Sequence, residues 1–313
     1  MLRLLYSHGI AGVLHIVSST VLAVLSADYN GVRNIYLLRE TWSPQGNHSD
    51  CSELKCVTAV ETGDPYPFNL AAAAIFFGYW SGVMHLYAAW TVRDVSNDAV
   101  DGSPDLQFRL RRIRFFDYSI TSSVMLACVS LILGSPDLGQ LVSAVAAQFL
   151  VVATFYFGQR ANAPWFAFCV SSIGYAVAWT PLFLVFQAST ESSNAEPPEF
   201  VSFILLGVFF TFTSFAFIQA WLLWRPKTAY SLEEALFLST SLTSKVLLHW
   251  TLFVAAISYS DLVSDSADGT ESNDTSQDVL SVVIGTIFGG MVMALLVTYP
   301  AWRCWGPGSL TYR

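Results

Sequence analysis

Apolar residues along this chain run in long blocks, with polar residues gathered between them. Blocks nearly free of charge fall at 8–26, 68–92, 115–134, 141–158, 165–187, 200–224, 235–260 and 279–302. Most approach the ~20 residues that an α-helix needs to cross ~30 Å of hydrocarbon. They lack strand-like alternation, which argues for helices over a barrel. The pattern predicts eight membrane spans. The polar stretch 27–67 predicts something else. Its segments NIYLLRETW and KCVTAVET are rich in β-branched and aromatic residues around the turn-prone SPQGNHSD, so a short two-stranded hairpin is expected in the first outer loop.

Composition strengthens the membrane reading. The 313 residues are 54% hydrophobic and 12% charged, against roughly 25% charged in soluble domains. The mean hydropathy is +0.50. A net charge of −8 excludes a basic nucleic-acid surface. The basic residues then orient the chain. A cytoplasmic N-terminus puts Arg3, Arg93, Arg109, Arg111, Arg112, Arg114, Arg160, Arg225, Lys227, Arg303 and Arg313 inside, leaving Arg33, Arg39 and Lys55 outside. The acidic segments DLVSDSADGTESNDTSQD and ESSNAEPPEF fall outside, as do the sequons at Asn47 and Asn273. With eight spans the C-terminus is cytoplasmic too. A cleaved signal peptide is the competing reading of the first block, but its apolar run exceeds the usual ~7–15-residue core, which favours a retained helix.

Cys51 and Cys56 lie in the first outer loop, in an oxidising compartment under this topology, and form either a small disulfide or two free thiols. Cys128, Cys169 and Cys304 lie in or beside helices and read as packing residues. No Cys/His spacing resembles a metal site. With no repeats, the chain divides into a bundle at 1–262, including the loop 27–67, and a tail at 263–313 with an acidic loop and one more helix.

One residue does not belong in this pattern. Of three lysines, Lys55 and Lys227 sit in polar loops, whereas Lys245 sits in SLTSKVLLHW, deep inside the seventh block. It is ~16 Å from the block's cytoplasmic boundary near Glu234 and ~24 Å from Asp261. Snorkelling does not easily reach the interface from that depth. A buried ammonium costs at least ~2.5–3.5 kcal/mol on insertion scales, so it requires a counter-charge or a reason to be neutral. Lys245 is therefore either a structural partner of a buried carboxylate or an amine tuned by burial for Schiff-base chemistry. Asp117, in RFFDYSITSSVM, is the only acidic residue within the eight blocks. Both helices run from inside to outside, and the two depths differ by about one helical turn. Asp117 could reach Lys245, or pair at i−3 with Arg114.

These residues carry a resemblance. Asp-Tyr-Ser-x-x-Ser-Ser-Val-Met in the third block and Ser-Leu-x-x-Lys in the seventh are similar to heliorhodopsins, the retinal-binding family of inverted membrane orientation. IAGVLH with His15, SGVMHLY with His85, and FTSFAFIQ in the sixth block add to it. The resemblance covers roughly 8–262. It implies a light-sensing photoreceptor, not an enzyme, built as an all-α seven-helix bundle and assembled as a homodimer in the lipid bilayer. All-trans retinal would be bound by Lys245 as a protonated Schiff base, with Asp117 as counterion. Ser241, one turn before Lys245, would lie near the imine. Ser122, Met125, Trp179 and Phe212 would line the polyene slot, and His15 and His85 would join a buried polar cluster on the cytoplasmic side.

The chain departs from that pattern in three places. Asp117 stands where the family usually has glutamate. His249 follows Lys245 by four residues, on the same helix face, where a small residue is usual. It is either a neutral histidine bonded to a helix neighbour or a proton acceptor, with Glu196 and Glu199 as an outer exit. That second option motivates an alternative function, a light-gated proton channel or transporter. The eighth block, with Gly285 and Gly289 on a small-residue face, extends beyond the family's seven helices. It would dock on the bundle, support a dimer, bind a partner or face lipid.

Overall fold

A computed structural model describes residues 3–26, 32–42, 57–95, 97–135, 137–161, 163–191, 199–226 and 228–268. The elements run α1 (Arg3–Leu25), β1 (Val32–Trp42), β2 (Val57–Asn69), α2 (Leu70–Thr91), α3 (Asn97–Gly102), α4 (Pro104–Ile132), α5 (Leu138–Arg160), α6 (Pro164–Glu191), α7 (Glu199–Trp224) and α8 (Tyr230–Asp268). The eighth block, Cys51, Cys56, Cys304, Glu196 and both sequon asparagines lie outside the described residues.

Among the described residues, six helices are long and apolar enough to cross a membrane: Leu4–Leu25, Leu70–Thr91, Pro104–Ile132, Leu138–Gln159, Pro164–Ala188 and Val201–Trp224. α8 carries the seventh block. The surface of the bundle is apolar, with Phe166 and Phe217 each 72% exposed. Side chains of that kind face lipid rather than water. The interior packs Phe77, Met125, Leu126, Trp179, Leu182 and Leu248 almost without exposure. Cys169, read from the sequence as a packing residue, is exposed, whereas Cys128 is buried.

α4 occupies the centre: 67% of its membrane segment is buried, against 22% in α5 and α6. It begins well before the apolar block at 115, because Ser103-Pro104-Asp105 supplies a good helix start. The basic stretch 109–114 then forms helix instead of a break, which carries Arg111 and Arg114 into contact with α8. α1 and α2 approach closely through glycine. A Cβ on Gly82 would lie 2.6 Å from Ile16 Cγ1 and 3.1 Å from the Gly12 carbonyl oxygen. β1 and β2 pair antiparallel from Val32 opposite Asn69 to Trp42 opposite Val57, with a register shift between Ile35 and Leu37. The second strand continues to Asn69, whose side chain caps α2 by accepting from Ala72 N at 2.9 Å.

Candidate functional site

Three helices each bring one polar side chain to a point inside the bundle: Ser81 from α2, Asp117 from α4 and Lys245 from α8. Lys245 Nζ donates to Asp117 Oδ2 at 2.5 Å and to Ser81 Oγ at 2.6 Å. Ser81 Oγ in turn donates to Asp117 Oδ1 at 2.9 Å. The triangle is closed and all three side chains are buried. The ammonium also stands 5.1 Å from the centre of the Tyr118 ring, whose hydroxyl donates to the Phe237 carbonyl at 2.9 Å. Of the two partners open to Asp117 in the sequence, the structure selects the lysine.

Arg114 is engaged elsewhere. Its guanidinium donates to Glu233 and Glu234 at 2.6 Å each. Arg111 adds a two-point contact to Glu233 at 3.1 and 2.7 Å, and the Tyr230 hydroxyl donates to Glu234 at 2.7 Å. Burial alone would raise the Glu233 carboxyl, but Arg114 and Arg111 outweigh it and hold it below its ordinary value.

From Glu234 a row of histidines leads back toward the lysine's level. His8 Nε2 lies 3.5 Å from Glu234 Oε1. His8 Nδ1 is 3.2 Å from His85 Nδ1. His15 stacks on His85 with ring centres 5.5 Å apart. Both ring nitrogens of His15 are buried with no hydrogen-bond partner among the described residues.

His249 is also buried, but neither ring nitrogen bonds a helix neighbour among the described residues. That differs from the neutral, hydrogen-bonded option. The ring packs instead on Phe77, centres 5.4 Å apart, and over Gly78. A Cβ on Gly78 would run into Ser19 Oγ and lie 2.6 Å from His249 Cε1, so glycine there makes room for the imidazole. Glu199 opens α7.

Lys245 borders an elongated apolar slot between α4, α5, α6, α7 and α8. The slot has a volume of about 140 Å³ and is open on one side. Ser122, Met125, Phe212 and Ser241 line it. Trp179 does not. It sits behind the wall, edge-on to Phe212 with ring centres 5.6 Å apart. Gln148 enters the slot from α5 and donates to Ser122 Oγ at 3.2 Å. Among the described residues no group of His, Cys, Asp or Glu gathers in a way that could hold a metal.

Fold and site define a class: a helical membrane protein with a buried lysine–carboxylate pair at the wall of an apolar slot. The family model described as heliorhodopsin matches residues 5–257, and the chain belongs to that family. It is accordingly an integral membrane protein that responds to light through a retinal chromophore. A comparison with curated proteins gives no match. The residues present fit the chromophore: an amine to hold it, a carboxylate to balance its charge and apolar walls for its polyene.

Several members of the site were not foreseen. Ser81 is four residues before His85 in SGVMHLY, on the same helix face, so its i, i+4 spacing was a usable signal. Glu233 and Glu234 lie just outside the apolar block, and His8 at the edge of another. Only the tertiary contacts reveal their burial.

Proposed function

We propose that the chain is a light-sensing photoreceptor in which all-trans retinal is joined to Lys245 as a protonated Schiff base, with Asp117 as counterion. The observation that carries this reading is the 2.5 Å contact between Lys245 Nζ and Asp117 at the slot wall. Bound there, retinal supplies absorption of visible light and isomerisation from all-trans to 13-cis. The chain's own residues supply the rest. Asp117 stabilises positive charge on the lysine nitrogen, which keeps that nitrogen protonated in surroundings of low dielectric. Ser81 holds the second carboxylate oxygen and so fixes the direction in which the first one points. A proton leaving the nitrogen has Asp117 and Ser81 each within a single hydrogen bond. Ser122, Met125 and Phe212 confine the polyene, and Ser241 offers a hydroxyl at the slot wall one turn before Lys245 along α8. A conformational signal follows from movement of that charge. The arginine distribution supports an N-terminus in the cytoplasm, and a homodimer is the proposed assembly.

The test is direct. Purified protein given all-trans retinal develops a visible absorption band, and hydroxylamine under illumination removes it. A colourless mixture, or a band that survives in Lys245→Ala, ends this reading.

A second reading, light-gated proton conductance, is favoured by the buried row Glu234, His8, His85 and His15. Whole-cell recording under illumination separates the two. Currents that vanish in His85→Ala support conduction, and wild-type cells without photocurrent leave the sensor. His249→Ala currents equal to the parent's remove that histidine from any path.

A further inference from the structure

A groove of about 900 Å³ lies on the outside of the bundle, where α2, α4 and α5 meet. Its walls are aromatic and open: Trp90 is 58% exposed, Phe116 52% and Phe149 46%. One end is charged. Arg109 and Arg112, three residues apart and on one face of α4, stand there with Arg93. Arg93 pairs with Asp94 at 2.8 Å, the one acidic residue among the described residues that line the groove. Arg109 and Arg112 are exposed and take part in none of the ion pairs formed among the described residues.

We propose that this groove binds an anionic glycerophospholipid, with the phosphate held between Arg109 and Arg112 and an acyl chain lying along Phe116 and Phe149. Three features favour this occupant. Along α4 the groove runs from Arg109 to Ser119, a rise of ~15 Å, or about one leaflet of a ~30 Å hydrocarbon layer. Its polarity follows a lipid's own, cationic at the headgroup level and apolar beneath. A second copy packed symmetrically about an axis along the membrane normal would instead set the same arginines against each other.

Native mass spectrometry of the full chain in detergent, with phosphatidylglycerol or phosphatidylcholine added, tests the proposal. Phosphatidylglycerol is retained and phosphatidylcholine is not. Arg109→Ala with Arg112→Ala weakens retention about 25-fold, or about fivefold per arginine. Ala153→Trp fills the apolar half and weakens retention with every arginine in place. Excess soluble glycerol phosphate does not displace the lipid, because the acyl chain contributes to binding. Unchanged melting temperatures show that the variants are folded, and the single variant Arg112→Gln reads the same effect if the double variant does not fold. Equal retention of the two lipids, or retention unaffected by these substitutions, overturns the proposal. So does conversion of a dimer to monomer without loss of lipid, which assigns the face to a second copy.

Discussion

Two buried charge clusters stand one turn apart on α4, at Arg114 and at Asp117, and they solve the same physical problem differently. Arg114 presents a planar fork to two glutamates, and every carboxylate oxygen of Glu233 and Glu234 has a partner in Arg111, Arg114, Tyr230 or His8. Lys245 is a point charge on a flexible stem, with one carboxylate and one hydroxyl as hydrogen-bond partners. The arginine cluster ties α1, α4 and α8 together; the lysine pair borders a slot. Burial of charge therefore does not by itself mark a functional site. What marks it is a reactive amine with few partners and room beside it.

Breaking each cluster in turn sharpens the contrast. The largest effect is expected from Lys245→Ala, which abolishes the visible band with retinal completely, as read by absorption spectroscopy. Arg114→Ala leaves two carboxylates short of a buried partner and lowers stability by about 3–5 kcal/mol. A melting curve reads that loss, while the band stays close to its parent position. Ser81→Ala removes hydrogen bonds to two charged groups, each worth about 1.5–3 kcal/mol, and touches both readouts: a lower melting temperature and a displaced band. Asp117→Glu retains the band and displaces it, because the extra methylene re-aims a carboxylate that already contacts the lysine nitrogen. An unchanged spectrum there would count against Asp117 as the main counterion.

The smallest effect comes from acid. Glu233 is held below its ordinary value in the folded chain, so its contribution is fully present above about pH 4.3. It fades as pH falls through the lower, folded value. Melting temperatures therefore agree between neutral and mildly acid solution and drop in stronger acid, and Arg114→Ala flattens that dependence.

Much of this contrast is legible in the sequence. Lys245 and Asp117 stand out because each is an ionisable residue inside a long apolar block, and their depths agree when the two helices run in the same direction. Periodicity located the membrane helices, but not where α4 begins, since the basic stretch 109–114 reads as a loop until it is seen to pair with α8. The arginine cluster was hidden for the same reason. Glu233 and Glu234 look like ordinary residues at the end of a span, and nothing local says that α4 will cover them. Trp179 shows a different limit. An aromatic residue facing inward on α6 can meet the slot or stand behind Phe212, and one-dimensional spacing does not distinguish the two.

Asn69 closes the second strand opposite Val32 and also caps α2. No hinge residue separates the ribbon from the helix that carries Ser81 and His85. The ribbon therefore meets the membrane as a direct extension of that helix, and a label on the sheet would test whether events at the buried nitrogen reach the outer face.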